Sequence, residues 1–190
     1  MLQLIVGLIL FLGIHSISIV AHPLRERLAA NMGEWPYKGF YSLIALAGLV
    51  LIVLGYGQAR LDPTVVYSTP TWTAHISMLL MLPVFPALLA TYLPGRISRV
   101  LKHPMLFAVK FWALAHLLSN GTLADLLLFG GFLGWAVADR ISMKSRQQRP
   151  IPSAPESAFN DVLAVIGGLG IYVAFAFWLH PAWIGVPVMG

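Results

Sequence analysis

Six runs of apolar residues dominate the pattern of hydrophobic and polar positions along the chain. They cover residues 2–21, 39–57, 73–93, 104–118, 123–141 and 158–180, and polar or charged segments separate them. A helix of about 20 apolar residues spans the ~30 Å hydrocarbon core of a bilayer. The pattern therefore predicts an all-α integral membrane protein, a six-transmembrane-helix bundle that forms a single domain over residues 1–190.

The first run is predicted to be a transmembrane helix rather than a secretory signal peptide. It has neither the basic start nor the small-residue cleavage site that a signal peptide needs. The segments 22–32 and 94–103 alternate basic with apolar residues at helical spacing, and we expect both to form short interfacial helices.

Prolines and glycines mark special positions inside the predicted spans. Pro83 and Pro86 interrupt the third run, and each removes a backbone hydrogen bond, so a kink beside a cavity is expected there. Ala45, Ala47 and Gly48 in the second run and the Gly130-x-x-x-Gly134 motif in the fifth predict close packing between helices.

Composition agrees with a membrane location and removes several kinds of chemistry. Of the 190 residues, 58% are hydrophobic and only 10% are charged, against about 25% charged in soluble domains. The chain has no cysteine, which excludes disulfides, iron–sulfur clusters and thiol catalysis. Six histidines remain as ligands for a metal or a haem.

The net charge of +5 reflects membrane topology better than nucleic-acid binding. Only Arg60 lies in the other loops, and Lys110 lies within a span. Positive residues favour the cytoplasmic side, so we expect both termini to face the periplasm of a bacterial inner membrane. The segments after the first, third and fifth runs carry ten basic residues, namely Arg25, Arg27, Lys38, Arg96, Arg99, Lys102, Arg140, Lys144, Arg146 and Arg149.

Two histidines lie deep inside predicted spans. By helical rise, His15 is ~20 Å below the outer end of the first span, and His116 is ~18 Å above the inner end of the fourth. Mid-membrane imidazoles on two helices resemble the ligand pair of a haem b in a helical bundle. Each histidine could instead form a hydrogen bond with a neighbouring helix, and the residues alone leave both interpretations open.

Two further polar residues, His103 and Lys110, precede His116 in the stretch from 102 to 121. Lys110 could extend to the inner interface, pair with Asp139, or meet an acidic cofactor group such as a haem propionate. His103 precedes Pro104 at the inner membrane edge. Asp125 and Asn120, near the outer turn, are predicted to form a helix-capping pair.

The other histidines have simpler interpretations. His22 and His180 each precede a proline at a membrane edge, which is typical of an interfacial residue beside a helix boundary. His75 begins the third span, and Met78 and Met81 follow it as packing residues or, less simply, as haem ligands.

Several segments resemble the NnrU family of integral membrane proteins. They are LFLGIHS, GEWPYKGFYSLIALAGLVLIVLGYG, the run from Pro94 to Gly121, FGGFLGWAVADRIS and WLHPAWIGVP. The resemblance covers nearly the whole chain, and its most specific part is the spacing that joins His103 to His116.

The family is similar to the zeta-carotene isomerase, a membrane protein that holds haem b and isomerises a cis double bond. That resemblance implies that His15 and His116 bind the haem iron, with His103 as an accessory histidine. It also matches His180 to the histidine near the isomerase's C-terminus. NnrU proteins are associated with denitrification, and the isomerase's extended soluble portion and longer last loop are lacking here.

The sequence therefore leaves three functions open. The first is a haem-dependent cis–trans isomerase of a lipophilic polyene, and the second is a redox, nitric-oxide-sensing or accessory haem protein of denitrification. The third is a haem-free scaffold whose histidines only join helices. For the first two, Lys110 and the inner basic loops are candidates to hold the haem propionates.

Overall fold

The computed structural model describes residues 1–146 and 150–188, and in these the regular secondary structure is helical. Arg149, one of the ten basic residues on which the predicted topology rests, lies outside the described residues. The helices are α1 (Leu2–Val20), α2 (His22–Met32), α3 (Glu34–Ala59), α4 (Thr73–Met81), α5 (Val84–Tyr92), α6 (Arg96–Leu101), α7 (Pro104–Ser119), α8 (Leu123–Ser142), α9 (Ala158–Ala174), a π-helical stretch (Phe175–Leu179) and α10 (His180–Ile184).

Four helical segments of the described chain are long and apolar enough to cross a membrane. They are Leu2–Val20, Glu34–Ala59, Thr73–Tyr92 and Ala158–Ile184. At 16 residues, α7 is ~24 Å long and shorter than a standard span. In α8, Asp125, Asp139 and Arg140 reduce the apolar character. The all-helical fold is confirmed for the described residues, and four of the six predicted spans have the length and composition required.

The chain forms two compact units that interleave along the sequence. Unit 1 consists of residues 1–68 and 121–147, and unit 2 of residues 69–120 and 148–190. Unit 1 therefore contains α1, α2, α3 and α8, and unit 2 contains the remaining helices. Each unit is described separately below.

Close backbone contact between α1 and α3 holds unit 1 together. A Cβ at Gly7 would lie 2.6 Å from the Ile52 amide nitrogen, and one at Gly48 would lie 2.7 Å from that of Phe11. A Cβ at Gly55 would collide with the backbone of Leu4. Because dispersion falls steeply with distance, such contact of small residues is a main source of helix association in lipid. The role predicted for Gly48 is confirmed.

The Gly130-x-x-x-Gly134 prediction is wrong within the described structure. A Cβ at either glycine would find no neighbour within 4 Å among the described residues. The next residue, Gly131, instead faces α1, where a Cβ would lie 3.4 Å from a Leu12 methyl. The motif is present in the sequence, but its two glycines point away from the packed face of α8.

The start of α8 is capped by its own first turn. Thr122 accepts from the Asp125 amide, and the Asp125 carboxylate accepts from the Thr122 amide at 2.9 Å. Tyr56 of α3 donates to the same carboxylate at 2.6 Å. Asp125 therefore caps a helix as predicted, but the predicted pair is wrong, because the partner of Asp125 is Thr122 and not Asn120. Asn120 caps α7, because its Nδ2 donates to the His116 carbonyl at 2.9 Å.

In unit 2, the predicted third span breaks at Pro83. The Leu82 amide donates to Leu79 in a tighter i−3 bond, and Pro83 has no amide to continue the helix. The chain resumes as α5, whose Pro86 packs so closely against Gly168 of α9 that a Cβ there would collide with it. The predicted interruption is confirmed at Pro83, whereas Pro86 lies inside α5.

The glycines of α3 provide a matched test of the packing between α1 and α3. We expect Gly55→Ala to destabilise the purified protein by about 1–3 kcal/mol, because the new methyl overlaps the backbone of Leu4. Gly57→Ala, where a Cβ meets nothing described within 4 Å, should be neutral or stabilise by up to about 1 kcal/mol. Thermal unfolding in detergent measures both. Equal melting temperatures for the two variants would contradict the packing role of Gly55.

Candidate functional site

His15 lies in unit 1 inside a cluster of aromatic rings. Its imidazole stacks on Phe11 with ring centroids 4.3 Å apart, and the Tyr41 and Trp135 rings meet it edge-on at 5.2 and 5.9 Å. Its Nδ1 lies 2.6 Å from the Phe11 carbonyl oxygen, one turn back on the same helix.

That hydrogen bond determines which nitrogen of His15 is available for a ligand. A carbonyl oxygen can only accept, so Nδ1 carries the proton and donates it. The lone pair of the neutral ring is then on Nε2, which is the atom that binds a metal in many histidine ligands. Histidines that bind iron or zinc commonly donate a hydrogen bond from the ring nitrogen that does not bind the metal.

A buried ion pair and two buried donors lie near His15 in unit 1. Asp139 of α8 accepts from Arg146 Nη2 at 2.7 Å, and both side chains are largely buried. Trp135 Nε1 and Arg146 Nη1 are also buried, and neither has a hydrogen-bond partner among the described residues. Buried donors of this kind cost about 1–3 kcal/mol when left unsatisfied, so an acceptor at these positions is favoured.

His116 lies in unit 2 and repeats the geometry of His15. Its Nδ1 lies 2.8 Å from the carbonyl oxygen of Trp112, one turn back on α7. The Trp112 ring is 5.4 Å from the imidazole, centroid to centroid. By the same argument Nδ1 carries the proton, and the lone pair of the neutral ring is on Nε2.

A cavity of about 240 Å³ in unit 2 is lined in part by His116. Apolar side chains from Met78, Met81, Phe85 and Phe175 form much of its wall. This volume lies just below the ~300–1,000 Å³ of typical ligand pockets. The cavity borders the break at Pro83, which is where the sequence predicts one.

Polar groups also converge on this cavity. Ser119 donates to Ser77 at 2.6 Å, and Ser77 donates to the Ala115 carbonyl at 2.6 Å. Tyr172 of α9 donates to the Met78 carbonyl at 3.2 Å. Sequence reasoning missed Ser77, Ser119 and Tyr172. Ser77 and Ser119 are hydroxyls inside or beside apolar runs, which is the signal that could have identified them.

His180 is the second histidine of the cavity lining. Its Nδ1 lies 2.8 Å from the Val186 carbonyl oxygen, so the turn after α10 orients the ring. The sequence interprets His180 as a residue at a helix boundary, and it does begin α10. The folding back of residues 186–188 onto the cavity is a tertiary feature that the local sequence does not reveal.

His103 and Lys110 lie apart from the cavity lining. His103 is the N-cap residue of α7, and its side chain forms no capping hydrogen bond. It precedes His116 by 13 positions, a distance of about 20 Å along the helix. This distance excludes a shared metal-binding position and agrees with the predicted edge location. Lys110 lies on α7, and Asp139, one of its predicted partners, forms its ion pair with Arg146 within unit 1.

The described residues contain no group of three or more His, Cys, Asp or Glu side chains that could hold a metal ion. A zinc site of three or four protein ligands is therefore not formed by this part of the chain. Haem iron takes only one or two axial ligands, so the haem prediction does not depend on such a group.

Comparison with known proteins gives one match. The family model described as NnrU protein matches residues 3–188, nearly the whole chain. No curated protein and no solved structure matches the chain.

The buried ion pair of α8 supports a double-variant test. We expect Arg146→Met to destabilise the protein by about 3 kcal/mol, because it leaves the Asp139 carboxylate buried and unpaired. Asp139→Leu with Arg146→Met should recover most of that loss, since replacing both partners by apolar residues is often neutral. Chemical or thermal unfolding in detergent measures both variants. If the double variant loses as much free energy of unfolding as Arg146→Met and Asp139→Leu lose together as single variants, a direct pair is contradicted.

Proposed function

Because the chain belongs to the NnrU family, we propose that it is a multi-pass membrane protein of the bacterial inner membrane that binds haem b. In this proposal it acts as a redox, nitric-oxide-sensing or accessory factor of denitrification, as the family resemblance implies. His15 and His116 are the proposed iron ligands. The observation that supports them most directly is shared by both: Nδ1 donates to a carbonyl of the preceding turn, which holds each neutral imidazole in the tautomer with its lone pair on Nε2.

The surroundings of each histidine fit a haem ligand. Aromatic rings around His15 exclude water, and the wall beside His116 is apolar with a few oriented hydroxyls. When bound, haem b supplies a redox-active iron that also binds nitric oxide. The residues of this chain hold the imidazoles in one tautomer and keep the iron-binding nitrogen free of protons.

Acidic groups of the haem need donors, and three residues are candidates. Arg146, one of the inner basic residues, offers a buried Nη1 without a described partner, and Trp135 offers Nε1. Lys110 remains a candidate from the sequence. In a low-dielectric environment each such donor is stabilised by an anionic acceptor.

A visible spectrum of the purified protein, with and without dithionite, tests the haem proposal. We expect bis-histidine haem bands that are lost in His15→Ala and in His116→Ala, because each removes an axial ligand. His22→Ala and His75→Ala serve as matched controls, since neither histidine is part of the aromatic cluster or the cavity lining. They should keep the spectrum.

The same spectra can contradict the proposal in two ways. A colourless protein after expression with sufficient haem would end it. Loss of the bands in His180→Ala together with an unchanged spectrum in His15→Ala would move the ligand pair into the cavity of unit 2. A Soret shift at low nitric oxide concentration would support the sensing role.

A second candidate function is a haem-dependent cis–trans isomerase of a lipophilic polyene such as zeta-carotene. The observation that favours it is the apolar wall of Met78, Met81, Phe85 and Phe175 beside His116. Complementation in an engineered host that accumulates the tri-cis polyene tests it, with His116→Ala as the inactive control. Failure of a well-expressed, haem-loaded protein would leave the denitrification role.

Our proposed membrane arrangement has six spans, with both termini in the periplasm. It adds α7 and α8 to the four apolar segments and follows the distribution of basic residues. We expect alkaline phosphatase fused after residue 190 or within 61–70 to be active, and fusions within 94–102 to be inactive. A green fluorescent protein fused at the same sites should give the opposite pattern. An active phosphatase within 94–102 would contradict the arrangement.

A further inference from the structure

A second cavity of unit 2 is a groove of about 480 Å³ bordered by α5, α6 and the start of α7. Its volume lies within the range of known ligand pockets. The lining is almost wholly apolar and comprises Pro83, Pro86, Ala87, Ile97, Val100, Leu101 and Phe107, with the charged residues Arg96 and Asp161.

The break at Pro83 and a strained turn shape the groove. At its other side the Leu101 carbonyl accepts from the His103 amide at 2.7 Å, across Lys102, which has φ 61° and ψ −39°. This is a γ-turn of the rare, strained kind, at a residue that is not glycine. Such strain persists where the surrounding structure imposes it. The turn sets the direction of α6 over the groove.

Asp161 is already used by the backbone. Its carboxylate accepts from the amides of Arg96 and Ile97 at 2.9 and 3.0 Å and so caps α6. A Cβ at Gly95 would lie 2.6 Å from the same carboxylate, so glycine leaves the space for it. The acidic residue of the groove is therefore directed at the start of α6 and satisfied there.

Arg96 is the cation at the mouth of the groove. It is exposed, and the ion pairs formed by the described residues do not include it. The neighbouring Arg99, by contrast, pairs with Glu156 at 3.3 Å. The Asp161 carboxylate attracts the guanidinium of Arg96 without forming an ion pair with it, because that carboxylate is bound to the backbone amides. Arg96 can still contact an anion beside the apolar surface, a combination that matches the two parts of an acidic lipid.

We propose that this groove binds an anionic phospholipid, with an acyl chain along the apolar lining and the phosphate on Arg96. The inference rests on the proposed membrane location and is independent of haem. A zwitterionic lipid of the same chain length would fill the apolar part of the groove. Its headgroup would also bring a positive charge close to Arg96, which repels it. Inorganic phosphate would meet Arg96 without gaining the apolar contact.

Native mass spectrometry of the full-length protein, released from detergent, tests the proposal. The probes are phosphatidylglycerol, phosphatidylcholine with the same chains, and inorganic phosphate. We expect one phosphatidylglycerol to be retained in preference to phosphatidylcholine, and phosphate to bind much more weakly. Arg96→Gln should weaken phosphatidylglycerol binding about fivefold and leave phosphatidylcholine unchanged.

Two further variants separate the acyl and phosphate parts. Val100→Trp fills the groove from a position that is 72% exposed, so the fold tolerates it, and it should reduce binding of both lipids. Ile141→Trp is the matched control on an exposed position of α8, and Arg27→Gln is the matched charge control on α2. Both controls should bind lipid as the unmodified protein does.

Three outcomes would overturn the proposal. They are equal retention of the two lipids, an equal effect of Arg27→Gln and Arg96→Gln, or phosphate binding as tight as lipid binding. The last would indicate an anion site without an acyl groove. None of these measurements uses the haem spectrum, so failure here is distinguishable from failure of the proposed function.

Discussion

Polar side chains in apolar helices need hydrogen-bond partners, because lipid offers none, and this requirement organises the structure. His15 and His116 meet it with the carbonyl one turn back on their own helix. Ser77 meets it with a carbonyl of the neighbouring helix α7. Each bond gives a polar side chain a defined orientation inside an apolar environment.

At one place in unit 1 the described residues do not meet this requirement. Trp135 Nε1 and Arg146 Nη1 are buried donors of unit 1 without a described acceptor. Their neighbour Asp139 accepts a hydrogen bond from Arg146 Nη2. The last turns of α8 and the segment that follows thus hold an ion pair beside two donors that a bound acidic group would satisfy.

Hydrophobic patterning predicted most of the fold because it depends only on local sequence. The bounds of α1, α7 and α8 lie within one residue of the predicted runs, and the interruption at Pro83 follows from the chemistry of proline. The packed glycines were harder to predict. Gly48 faces α1, whereas Gly130 and Gly134 do not pack, because the rotation of a helix about its axis depends on its partners.

The candidate site was predicted in part. His116 was identified as a polar residue in an apolar run, and its cavity borders the predicted break. The roles of Tyr172 and His180 in that lining depend on how α9 and the following segments fold back, which no local pattern contains. Arg146 was recognised only as a basic residue of an inner loop, because its pairing with Asp139 requires the turn after α8.

The interleaving of the two units has a consequence for biosynthesis. The ribosome makes α1, α2 and α3 first, but unit 1 lacks α8 until residue 142 has emerged. By then α4 to α7 have been made, and they in turn wait for α9. Each unit is made in two stretches that are separated by part of the other unit. Each must therefore persist as a partial assembly while part of the other is made. Truncation after α8 would leave a complete unit 1 beside an unfinished unit 2.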